Sequence, residues 1–88
     1  MTKQQNIVGA QVQKIRLKKN FSQEQLAARC GVLGWNISRG TLAKVEAQIR
    51  CVSEQELFIL AKALRVEMND LFAPAFKQRF AVLYRIRR

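Results

Sequence analysis

Histidine is absent from this 88-residue chain, and cysteine, proline, tryptophan and tyrosine are nearly so, at two, one, one and one. Without histidine the commonest general base and the commonest zinc ligand are missing, and the two isolated cysteines, Cys30 and Cys51, make neither a disulfide framework nor a metal site. There is no glycine-rich phosphate loop and no pair of carboxylates arranged to share a pocket. Catalysis is therefore the least supported role; no catalytic residue, metal, cofactor or small-molecule substrate is expected. No run of 18 apolar residues occurs, and the polar start, Met1 to Asn6, lacks the apolar stretch of a signal peptide. A soluble chain in a reducing cytoplasm is the expectation.

Acidic residues are also scarce. Six Asp and Glu stand against sixteen Lys and Arg, a formal charge of +10 that calls for a polyanionic partner such as nucleic acid or an anionic membrane surface. The excess is uneven: residues 1–50 carry nine basic and two acidic groups, 51–72 two and four, and 73–88 five and none. The middle segment is thus the one least suited to face phosphate. At 49% hydrophobic content, a chain of this length fills one small core.

Helical spacing runs through nearly the whole chain, with no strand alternation bounded by hairpin turns, so the fold class is all-α. A first helix, Ile7 to Lys19, has Val8, Val12 and Ile15 on one stripe and Lys14, Lys18 and Lys19 off it. Ser22 opens a second with Gln25 as its capping-box partner; it carries Leu26 and Ala27 to Cys30, where Gly31 reads as a left-handed stop. Ser38 caps a third, running to about Gln48, with Leu42 and Val45 turned inward and Arg39 and Lys44 outward. Ser53-Glu54-Gln55-Glu56 is a second capping box, opening a helix with Leu57, Leu60, Ala61 and Leu64 on its buried stripe. Asn69-Asp70-Leu71-Phe72 is a short fifth turn or helix ahead of Pro74, and Phe76, Phe80, Leu83 and Tyr84 fit a sixth, amphipathic helix. The division expected is a helical domain over 1–73 and a basic segment over 74–88.

The ordered set Gly9, Val12, Ile15-Arg16, Ser22-Gln23, Leu26-Ala27, Ser38-Arg39, Thr41-Leu42, Val45-Glu46, Leu60-Ala61-Lys62-Ala63-Leu64 and Asp70-Leu71-Phe72 resembles the helix-turn-helix domains of phage repressors and Cro proteins, the xenobiotic response element family. The resemblance implies a five-helix bundle, a second helix across the DNA backbone, a third in the major groove, and a homodimer on a pseudo-palindromic operator. It implies a sequence-specific double-stranded DNA-binding transcriptional regulator of repressor type. Carried over by position, Gln23 meets a phosphate or a nearby base, and Ser38 and Gly40 lie at the start of the reading helix. Arg39 takes guanine O6 and N7, Thr41 meets a phosphate or a thymine methyl, Lys44 a base edge or a phosphate, and Arg50 grips phosphate. Arg16 and Glu46 match positions that pair between helices one and three.

The chain departs from that pattern between the signature helices, where Gly31-Val32-Leu33-Gly34-Trp35-Asn36-Ile37 lengthens the connection. Trp35 is expected to pack between helices and clamp it. Gly40 stands where a polar reading side chain is common, so it specifies nothing by hydrogen bonds but admits close backbone approach. Cys30 reads as a small buried hydrophobe. Phe58 and Ile59 flank the buried stripe of the fourth helix, either as a dimer surface or as a seat for the last helix. Two other readings stay open: an antitoxin-like protein that binds a small toxin partner and autoregulates through DNA, and a nonspecific nucleic-acid or membrane-surface binder driven by Arg85, Arg87 and Arg88. The membrane is the least favoured of these partners.

Overall fold

The computed structural model describes residues 4–72. They form α1 (Gly9–Lys18), α2 (Gln23–Val32), α3 (Arg39–Glu46), α4 (Glu54–Leu64) and a 3-10 turn (Met68–Leu71). Among the described residues there is no strand and no helix long and apolar enough to cross a membrane. Four α-helices and a 3-10 turn thus stand where five helices were expected. The sixth helix and the 74–88 segment lie outside the described residues.

Three helices begin on serine. Ser22, Ser38 and Ser53 each accept a backbone N–H from the residue three positions on, and Gln25 and Glu56 complete reciprocal capping boxes at the first and last of these. The start of α1 is built differently. Asn6 Oδ1 accepts the N–H groups of Val8 at 3.1 Å and Gly9 at 2.7 Å, while its amide donates to the carbonyls of Val45 at 3.1 Å and Arg50 at 2.8 Å. One side chain thereby caps α1 and ties it to the end of α3. Glycine at position 9 follows from that closeness, because a Cβ there would collide with the Val45 carbonyl oxygen.

Each of the four α-helices described ends in the same way. Asn20, Gly34, Gln48 and Arg65 have φ of 62°, 101°, 65° and 57°. After each of them the next N–H reaches back to the helix: Phe21 to Arg16, Trp35 to Cys30, Ile49 to Lys44 and Val66 to Ala61. The stop expected at Gly31 is corrected here, since Gly31 lies inside α2 and Gly34 supplies the left-handed residue. Stopping at Gly34 places Trp35 directly after the turn, where its ring packs against the core; Val32, which would follow a stop at Gly31, is 87% exposed.

α3 packs on both α1 and α2, α2 also packs on α4, and α4 touches α1 and the 3-10 turn. Val12, Leu26, Cys30, Leu42, Val45, Leu60, Leu64 and Leu71 are fully buried where these surfaces meet. Each such Leu contributes roughly 1.5–3 kcal/mol of burial. Ile15 and Leu57, placed on buried stripes by their spacing, are partly buried, and Ile37 from the lengthened connection joins the core.

Candidate nucleic-acid interface

α3 is held at its C-terminal end by a buried charge network. Arg16 Nε donates to Glu46 Oε2 at 2.6 Å and Nη2 to Oε1 at 3.1 Å, with side-chain exposures of 8% and 2%. Nη1 donates to the Phe21 carbonyl at 2.8 Å, and Gln23 Nε2 donates to Glu46 Oε1 at 3.1 Å. Two charges removed from water thus have each other in bidentate geometry and further hydrogen bonds besides. This matters because a buried pair compensates its desolvation only when its remaining donors and acceptors are satisfied. No buried side-chain N or O among the described residues lacks a partner. The network joins α1, the start of α2 and the last residue of α3, which fixes the angle at which α3 leaves the body.

The opposite end of α3 is open. Ser38, Arg39 and Gly40 are exposed there and Thr41 is partly so, and Lys44, in the last turn, is exposed as well. Among the described residues the Arg39 and Lys44 side chains make no hydrogen bond or ion pair. A depression of about 520 Å³ between the N-termini of α2 and α3 is lined by Arg16, Ser22, Gln23, Glu24 and Arg39. Two helix N-termini converge there, each carrying partial positive charge that favours an anion. Glu24 is the one acid in this lining.

Three residues expected to contact DNA are engaged within the fold. Thr41 donates its N–H to Ser38 Oγ at 3.1 Å, and the two hydroxyl oxygens lie 3.0 Å apart. Gln23 spends its amide on Glu46, so it links the N-terminal end of α2 to the last residue of α3. Arg50 is turned back on the protein: its guanidinium meets Glu56 at 3.0 and 3.1 Å, the Cys51 carbonyl at 2.8 Å, and stands 5.6 Å from the centre of the Trp35 ring. That partner holds the Glu56 carboxyl below its ordinary value and raises Arg50 above its own. Arg29, not singled out from sequence, is also engaged, donating to the Ala63 carbonyl at 2.6 Å and lying over Phe21.

Gly40 carries a signal of its own. A Cβ built there would meet only Ser38 Oγ, at 3.8 Å, so packing does not require glycine at that position. Asn6 was missed as a positioning residue. Its signal was an Asn just ahead of an apolar helical stripe, a capping residue type in a capping place. Among the described residues no cluster of three or more His, Cys, Asp or Glu is placed to hold a metal.

The helix-turn-helix family matches residues 12–71 of this chain, which takes in α2, α3 and α4 whole. Among solved structures, the restriction-modification controller protein C.AhdI from Aeromonas hydrophila is 34% identical, with a TM-score of 0.66 over 74% of this chain and 91% of that one. A hypothetical transcription factor from Neisseria, NHTF, shares the fold at 23% identity, with a TM-score of 0.69 over 89% of this chain and 85% of that one. No curated protein matches. With an exposed cationic helix start braced from behind by a buried ion pair, and a family match spanning the helices that build it, the chain belongs to the helix-turn-helix family of DNA-binding regulators.

Proposed function

We propose that this protein is a sequence-specific transcriptional regulator, a repressor acting by operator occupancy, that reads the major groove of duplex DNA with α3. One observation carries the reading: Arg39 and Lys44 stand exposed on α3 with no partner among the described residues, while Arg16, Arg29 and Arg50 are each committed to the fold. Arg39, at the first position of α3, presents its fork to guanine O6 and N7, and Lys44 follows along the helix to a base edge or phosphate. The N-terminus of α2 faces the phosphate backbone through Ser22 and Gln23. Ser38, Gly40 and Thr41 line the approach, Gly40 by offering bare backbone.

A homodimer completes the reading, since one such helix spans too few base pairs to specify a site. Support comes from an exposed face of α4: Phe58 is 51% exposed, and with Glu54, Gln55, Ile59 and Met68 it lines a depression of about 540 Å³. The controller role named for the C.AhdI neighbour agrees with regulation of transcription. Residues 1–73 serve as the DNA-binding domain, and 74–88, with five cations and no acid, add affinity without sequence preference. The protein acts by binding, without catalysis.

Selection of bound sites by the full chain from a pool of random duplexes tests this. An enriched pseudo-palindrome with half-sites roughly 34–36 Å apart, or a multiple of that, is expected. Enrichment of no sequence overturns the specific-regulator reading.

A further inference from the structure

We propose that Trp35, Arg50 and Glu56 form a second bracket on the reading helix, and that Arg50 is a positioning residue for Arg39 in place of a phosphate contact. This rests on the reading of DNA by α3 given above and extends it to how the N-terminal end of that helix is held. The chain of contacts starts at the capped N-terminus of α4. Ser53 donates its N–H to Glu56 Oε1 at 3.0 Å, and Glu56 receives the Arg50 guanidinium through two bonds of 3.0 and 3.1 Å. The same guanidinium lies 5.6 Å from the Trp35 ring centre, within cation–π range. Trp35 in turn is pinned by its N–H to the Cys30 carbonyl at 2.9 Å and packs against the core.

Arg39 follows Trp35 by four residues, across the connection that departs from the family pattern. Where the ring sits sets where that connection leaves the core, and therefore where α3 begins. Glu46 fixes one end of the reading helix through Arg16; the Trp35 bracket fixes the other. A direct phosphate grip by Arg50 would need the planar fork that Glu56 already occupies, and would bring a phosphate beside a carboxylate.

The full chain, wild type and variants, is titrated against its selected duplex, and against that duplex with the guanine read by Arg39 replaced, at several salt concentrations. For Arg50→Ala and Glu56→Gln alike, discrimination between the two duplexes is expected to fall by about tenfold, a loss within the span of one bidentate base contact. The slope of log affinity on log salt is expected to stay at the wild-type value. Glu56→Gln keeps a capping-box residue at the start of α4, and Trp35→Phe keeps a packed ring, so both retain the fold, checked by thermal melting. Trp35→Phe, which keeps a ring face, is expected to lose less discrimination than Arg50→Ala. If Arg50→Ala lowers the slope by about 1 while Glu56→Gln leaves discrimination intact, Arg50 is a phosphate contact and the inference is overturned. Wild-type preference that survives unchanged in both variants overturns the inference alone; no preference in the wild type overturns the reading it rests on as well.

Discussion

Glu46 is the residue on which both the fold and the interface lean. Its carboxylate is nearly inaccessible and answers Arg16 and Gln23 together, so its removal leaves a buried guanidinium without its countercharge. Glu46→Ala is expected to cost about 3–5 kcal/mol, read as a drop in urea midpoint at unchanged m-value, a large share of the 5–15 kcal/mol typical of whole domains. A loss under 1 kcal/mol would mean that the pair is solvated. Cys30 behaves as an inert core atom: burial pushes its thiol up to about 11, leaving little thiolate at neutral pH. One equivalent of a maleimide is therefore expected to react with native protein, at exposed Cys51, and two in denaturant. Fast labelling of both in the native state would contradict the packing. At this scale resemblance carried both the identity of the Arg16 and Glu46 partners and the burial of Cys30, which stands where the family usually has an aliphatic residue. It did not carry Asn6, two of whose four side-chain hydrogen bonds reach residues 39 and 44 positions away, nor the engagement of Arg50, which depends on where α4 begins.

Among the elements, α3 combines a well-capped start with a residue that weakens it. Gly40 sits in the first turn, exposed, with room for a side chain. Gly40→Ala is expected to stabilise the fold by up to roughly 0.5–1 kcal/mol, through helix propensity, while lowering operator affinity if DNA approaches that backbone. Parallel melting and binding titrations check both halves; tighter binding by the variant would remove the close-approach role. The starts of α2 and α4 were legible because serine three residues ahead of Gln or Glu has one strong use, and that of α3 because Ser38 precedes an apolar helical stripe. Helix ends were not. Gln48 and Arg65 adopt left-handed conformations that their residue types do not announce, and Gly31 looked like a stop because it is a glycine after an apolar stripe. Tertiary packing decided that end, since only a stop at Gly34 brings Trp35 to the core. It also took up part of the lengthened connection, as α2 continues to Val32 before the turn.

Across the whole molecule, the charge distribution divides the labour. The acidic excess of residues 51–72 belongs to α4 and the 3-10 turn, whereas α3 carries exposed cations at both ends, Arg39 in its first turn and Lys44 in its last. Glu56 adds a pH term to stability. Its folded value is lowered by Arg50, so its contribution is fully present above the ordinary carboxylate value of 4.5 and is lost as pH falls through the lowered one. With the pair partly open to water, that contribution is about 0.2–1 kcal/mol. The wild type is therefore expected to lose more stability than Glu56→Gln on acidification below pH 4.5, and the two are expected to run parallel above it. Identical acid profiles would remove the term.

The most direct test of base reading by α3 is a cycle on one base pair: wild type and Arg39→Ala, each titrated against the selected duplex and against the duplex with the half-site guanine replaced. The expected result is that the wild type prefers guanine by about 1–3 kcal/mol and that Arg39→Ala binds both duplexes equally. Undiminished preference for guanine in Arg39→Ala would contradict it.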